Sequence, residues 1–157
     1  MTRMQLALLA AAGSAALLLG AFAFQHIGGL APCKLCLWQR WPHAVAIVIG
    51  AVALLTGRGQ LALLGAAAAA TTSGIGIYHT GVERGWWEGP SSCSGDAGSL
   101  TSMSGSALLD FDAPETVIMC DEVVWDLFGL SMASWNASFA LSLTVLWLLA
   151  AFEPEKH

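Results

Sequence analysis

The chemistry of this chain starts from two cysteines three residues apart. Pro32-Cys33-Lys34-Leu35-Cys36-Leu37-Trp38-Gln39-Arg40 is a Cys-x-x-Cys pair followed closely by an arginine. Cysteines at this spacing can close a small disulfide ring, and such motifs often carry a lowered thiol pKa. On a helix, Cys36 and Arg40 stand at i, i+4 and share a face. A fixed positive charge there favours thiolate over thiol. Spacing alone reads equally as redox chemistry, as half of a zinc site or as two buried structural cysteines. Cys93 and Cys120 bring the count to an even number, which leaves open two disulfides or one four-ligand metal site.

The elements that must hold these residues are apolar. Of 157 residues, 56% are hydrophobic and 11% charged, and the mean hydropathy is +0.66. A soluble domain carries about a quarter charged residues, so this is an integral membrane protein, too short for two ordinary domains. A net charge of -5 without any Lys/Arg cluster excludes nucleic acid as a partner. Met4–Phe24, Leu61–Thr80 and Trp135–Phe152 are free of charge, and each approaches the roughly 20 residues that cross a bilayer. The apolar run Ala44–Thr56 is too short to span, so its helix must begin near Cys36. That gives a second span of about Leu35–Thr56, with Arg40 and Pro42 in its first turns and a kink expected at Pro42. The first run, ending in Ala21-Phe22-Ala23, also resembles a signal peptide, but three further spans favour a retained helix. Small-residue stripes, Ala12/Ala16/Gly20 on the first span and Gly65/Ala69/Ser73 on the third, predict close helix packing. The expected fold is all-α: a four-helix transmembrane bundle forming one domain, with a long loop between helices 3 and 4.

With four spans, the loops at about 25–34 and 81–134 face one side, and both termini with the turn Gly57–Gln60 face the other. All four cysteines then share one face of the membrane. Lys and Arg are evenly divided between the sides, so the positive-inside rule does not choose. Persistent disulfides need an oxidising compartment, which puts the cysteine loops outside the cytoplasm. The long loop is acidic, with Arg84 its only base, and Gly/Ser-rich between Pro90 and Ser106. Leu108, Leu109 and Phe111 are expected to form a short turn resting on the membrane surface.

Two dithiol pairs on one face suit a relay, in which thiolate attack passes electrons through a mixed disulfide. Cys93 and Cys120 on the long loop can reach a soluble protein, while Cys33 and Cys36 at a helix end meet whatever dissolves in the bilayer. The rivals are two loop-stapling disulfides in a non-enzymatic tetraspan protein, or one zinc site. The zinc reading is disfavoured because four-cysteine sites usually use two close pairs, and here only one pair is close. No G-x-G-x-x-G follows a strand and no Cys-x-x-Cys-His is present. A lipid-soluble two-electron carrier, a quinone, remains as acceptor.

Arg40 is a functional candidate as an ionisable group within a span. It suits holding the Cys36 thiolate beside a quinone oxygen, and snorkelling to the interface is the plainer role. His43 and His79 are candidates for donating to that oxygen or moving a proton, against an ordinary interfacial role. Trp38, Trp41, Trp86, Trp87 and Trp135 form an aromatic belt at one boundary. The sequon Asn136-Ala137-Ser138 begins the fourth span and is discounted.

The Cys-x-Leu-Cys-x-x-Gln-Arg run, with Glu88-Gly89-Pro90-Ser91-Ser92-Cys93, Trp125-Asp126-Leu127-Phe128-Gly129-Leu130 and Trp135, resembles the DsbB family of bacterial disulfide bond formation proteins. The likeness covers nearly the whole chain. It implies an inner-membrane, quinone-dependent thiol:disulfide oxidoreductase with four catalytic cysteines and no metal. By this resemblance Cys93 forms the mixed disulfide with a periplasmic DsbA-like thioredoxin-fold oxidase, and Cys120 is its partner. Cys33 exchanges with Cys120, and Cys36 is the thiolate facing the quinone, with Arg40 stabilising it. The acceptor is ubiquinone or menaquinone, and the long loop carries a short horizontal helix. A vitamin-K-epoxide-reductase-like enzyme shares this logic with a different substrate.

Overall fold

In a computed structural model, which describes residues 1–90 and 119–153, four helices account for the four apolar runs. Helix α1 spans Arg3–His26, α2 Lys34–Thr56, α3 Leu61–Glu83 and α4 Met132–Phe152. All four are long and apolar enough to cross a membrane. The segment with Leu108, Leu109 and Phe111 lies outside the described residues, as does Cys93.

Local chemistry sets the ends. Thr2 and Gln5 form a reciprocal capping box at the start of α1. Cys33 caps α2, which runs unbroken through Pro42 to Gly57, where φ of 68° gives a left-handed stop. Ser131 caps α4, its hydroxyl accepting from the Ser134 N–H. Just before it, a small antiparallel ladder pairs β1 (Asp126–Leu127) with β2 (Leu130–Ser131). Phe128 and Gly129 turn between them with φ of 56° and 74°, the left-handed pair that a type I′ hairpin requires. Strands this short carry no alternation, so no sequence pattern announces them.

Helix α3 packs between α2 and α4, and α1 closes the bundle against α2 and α4. Away from the cysteines the core is alanine around one large ring. Trp147 is fully buried among Ala7, Ala10, Ala66, Ala69 and Leu143. A Cβ placed on Gly65 would meet the Trp147 ring at 2.5 Å. A bilayer supplies no hydrophobic force between helices, so close backbone approach and dispersion hold such a bundle together. Large side chains such as Leu19, Val48, Leu63 and Leu149 point outward, as lipid-facing residues do.

The two small-residue stripes behave differently. Gly65, Ala69 and Ser73 are buried, and the Ser73 hydroxyl donates to the Ala137 carbonyl at 2.9 Å. On α1 the expected packing stripe is not the packing face. Ala12 and Ala16 are exposed, and contact runs through Ala7, Ala10, Ala11 and Ser14. Those positions lie on another side of a 3.6-residue helix. Ala16 and Gly20 instead border a cavity: lack of bulk there leaves space rather than drawing a helix close.

Candidate redox site

Cys33 gathers donors. As the N-cap of α2 its sulfur accepts from the Cys36 backbone N–H at 3.2 Å. The Cys36 thiol lies 2.9 Å away and His79 Nε2 lies 3.5 Å away. Hydrogen bonding from the Cys36 thiol is the main cause holding the Cys33 pKa well below the ordinary thiol range. His79 adds to it against the opposing cost of burial. The N-terminal dipole of α2 acts in the same direction.

Both inner cysteines are free thiols, whereas Cys120 is disulfide-bonded. Cys33 Sγ, Cys120 Sγ and a His79 ring nitrogen all lie within 4.8 Å of one another, and all three residues are buried. The tertiary fold therefore brings the inner pair to a cysteine of the long loop. Around them Leu35 and Val82 complete a small apolar cluster that limits water.

A chain of polar side chains runs inward from this point. Gln39 Nε2 donates to the Leu35 carbonyl at 3.3 Å and to His79 Nδ1 at 2.9 Å. Asn136 Nδ2 donates to Gln39 Oε1 at 2.7 Å and lies 3.3 Å from Thr72 Oγ1. The Thr72 hydroxyl in turn donates to the Gln39 carbonyl at 2.9 Å. His43 Nε2 meets Asn136 Oδ1 at 3.0 Å. On the other flank of His79, Glu83 Oε1 stands 3.9 Å from Nε2, and Glu83 accepts from the Ser131 hydroxyl.

On the far side of the pair lies a cavity of about 360 Å³ between α1, α2, α4 and the hairpin. That volume lies within the range of small-molecule sites. Phe24, Trp125, Trp135 and Phe139 supply aromatic wall, while Cys36, Gln39, Arg40, His43 and Asn136 supply polar groups. Arg40 does not bond either sulfur. Its guanidinium donates to Gln25 Oε1 at 2.5 Å and to the Ala21 carbonyl at 3.3 Å, and it stacks over Phe22 at 5.0 Å. These contacts with α1 fix a positive charge on the cavity wall.

The candidate residues thus divide. Cys33 and His79 meet Cys120, while Cys36, Arg40 and His43 line the cavity. His79 is separated from the cavity by Gln39. Gln39, Thr72, Glu83 and Asn136 join the site without having been candidates from the sequence. For Gln39, Thr72 and Asn136 the available signal was polarity inside an apolar span, which demands a partner whether or not the group is charged.

A family model described as disulfide bond formation protein DsbB matches residues 3–150. Disulfide bond formation protein B 2 of Pseudomonas aeruginosa is 35% identical over 140 residues, covering 82% of this chain and 79% of its own. Disulfide bond formation protein B of Xylella fastidiosa is 31% identical over 139 residues, covering 82% and 78%. The Marinobacter nauticus protein of that name is 31% identical over 146 residues, covering 85% and 83%. No solved structure matches with comparable significance. A four-helix membrane bundle with Cys33, Cys36 and Cys120 gathered at one end, and a family match along almost its whole length, place this chain in the DsbB family of disulfide oxidoreductases.

Proposed function

We propose that this protein takes electrons from a periplasmic DsbA-like thioredoxin-fold oxidase and delivers them to a membrane quinone, ubiquinone or menaquinone, through Cys93/Cys120 and then Cys33/Cys36. The observation that carries this reading is the position of the inner pair. Cys33 lies beside Cys120, and Cys36 lies on the cavity wall.

Exchange begins with the incoming dithiol reducing the Cys93/Cys120 disulfide. The Cys120 thiolate then attacks Cys33 of a closed Cys33–Cys36 disulfide and displaces the Cys36 thiolate. Cys93 attacks Cys120, the outer disulfide re-forms, and Cys33 leaves as thiolate. A sulfur with a depressed pKa leaves faster, and the donors around Cys33 supply that depression. The state with Cys120 in a disulfide and a free inner dithiol corresponds to electrons resting on the inner pair.

The cavity fits a substituted ring with polar oxygens. It is aromatic-walled and flanked by small residues of α1, and His43, one of its lining residues, has a buried Nδ1 with no hydrogen-bond partner among the described residues. A quinone bound there supplies an acceptor for two electrons and two protons. Cys33 and Cys36 give up both as they close to a disulfide. Arg40 holds positive charge where an oxygen becomes electron-rich. His79 holds a proton against the Cys33 sulfur.

This reading places the cysteine end of the bundle in the periplasm and both termini in the cytoplasm of a bacterial inner membrane. Reconstituted protein mixed with reduced DsbA-type oxidase and ubiquinone-1 is expected to form one disulfide per quinone reduced, with oxygen absent. A protein that forms no disulfide under these conditions, yet keeps its two cysteine pairs bridged, is a stapled scaffold instead. Turnover with quinone but without any thioredoxin-fold thiol partner would contradict the partner assignment.

A further inference from the structure

The hydrogen-bond directions around His43 are fixed by the backbone, and they decide what that histidine offers the cavity. The Leu35 carbonyl can only accept, so the Gln39 amide turns its nitrogen toward it and its oxygen toward Asn136. A second backbone carbonyl, that of Gln39, takes the Thr72 proton, so Thr72 presents a lone pair to Asn136. Both constraints demand Asn136 Nδ2 on that side. Asn136 Oδ1 therefore faces His43, and the proton of a neutral His43 sits on Nε2. Nδ1 is left with a lone pair, buried and without a partner among the described residues. Ser14 Oγ and Trp147 Nε1 are also buried and unpartnered. Neither residue lines the cavity, and His43 does.

We infer that His43 acts in the cavity as a hydrogen-bond acceptor, held in that tautomer by Gln39 and Asn136, and so selects a ring bearing a hydroxyl over one bearing only carbonyls. Given the quinone reading, on which this inference rests, the preferred ligand is the reduced, quinol form. The oxygens of a quinone accept hydrogen bonds and give His43 Nδ1 nothing to bind. The hydroxyl of a quinol donates, which satisfies the buried lone pair. Selective retention of the reduced form raises the potential of the bound couple and pulls electrons off the inner dithiol. An about tenfold preference corresponds to about 30 mV for a two-electron couple. Gln39 and Asn136 act through His43 and are positioning residues.

The test uses the full-length protein in lipid nanodiscs with the inner pair oxidised, so that the quinone meets no dithiol, and the quinone absorbance band checks that the quinol stays reduced during its titration. Ubiquinone-1 and ubiquinol-1 are titrated separately against tryptophan fluorescence, since Trp125 and Trp135 line the cavity. The expected result is about tenfold tighter binding of ubiquinol-1, with His43→Phe bringing the ratio of the two affinities close to one. Asn136→Leu, which frees the tautomer, is expected to narrow the ratio as well. Equal affinities in the wild type, or an unchanged ratio in His43→Phe, overturns the inference while the quinone assignment stands. Binding of neither ring overturns both. Nitrogen-15 NMR of the wild-type histidine rings gives a readout that needs no variant to fold: Nδ1 of His43 is expected without a proton, and a protonated Nδ1 overturns the inference.

Discussion

His79 Nε2 stands 3.5 Å from the Cys33 sulfur, although 46 residues separate the two in sequence. His79 Nδ1 accepts from Gln39, so the ring proton is directed to Nε2 and toward the sulfur. With the helix cap and the Cys36 thiol, this gives one cysteine of the pair three donors.

Cys33 is therefore expected to be the acidic thiol of the reduced inner pair. Alkylation of reduced protein by iodoacetamide at pH 6, mapped by mass spectrometry, should modify Cys33 in preference to a free thiol of ordinary pKa. His79→Phe is expected to raise that pKa by about one unit, read as a shift of the midpoint of the alkylation rate against pH. An unchanged midpoint would show that the helix cap and Cys36 suffice. The linked stability has a definite sign. Because the folded Cys33 pKa is depressed, ionisation favours the folded reduced state fully above the ordinary thiol pKa. That contribution is lost as pH falls through the depressed value.

Cys36→Ser removes the thiol on the cavity wall but leaves Cys33 beside Cys120. Quinone reduction is expected to vanish, and Cys33 is expected to accumulate in a mixed disulfide with Cys120. Peptide mapping without reductant reads this directly. Intact turnover in the variant would remove Cys36 from the electron path.

Arg40→Ala deletes the charge that Gln25 and Ala21 hold on the cavity wall. Steady-state kinetics should show the KM for ubiquinone-1 rising about tenfold, the scale of one charge-assisted hydrogen bond, with little change in the KM for the reduced DsbA-type oxidase. A change confined to the latter would reverse the assignment.

Two glycines test the division between packing and space. A Cβ at Gly65 meets the Trp147 ring, so Gly65→Ala should cost about 1–3 kcal/mol by overpacking. Unfolding in mixed micelles would measure it. A Cβ at Gly20 meets nothing within 4 Å, and this residue borders the cavity. Gly20→Leu should leave stability within about 0.5 kcal/mol and weaken ubiquinone-1 binding by occupying its space. Equal losses of stability at both positions would mean that the cavity is not a preformed space.

Hydropathy runs and the Cys-x-Leu-Cys-x-x-Gln-Arg motif were enough to establish four spanning helices and a disulfide oxidoreductase of the DsbB type. Those features follow from local rules: a helix must be long and apolar to cross lipid, and two cysteines three apart on a helix end are neighbours wherever the chain goes. Spacing also put Cys36 and Arg40 on one face, but it could not show that Gln25 and Ala21 of α1 take the guanidinium. Nor could it show that Asn136, 97 residues from Gln39, completes a polar chain from Cys33 to His43. Ala16 and Gly20 looked like a packing stripe because small residues are common to helix contacts and to empty space alike. Only the rotation of each helix about its axis, set by how all four pack together, separates those outcomes. The same packing determines which nitrogen of His43 is left without a partner among the described residues.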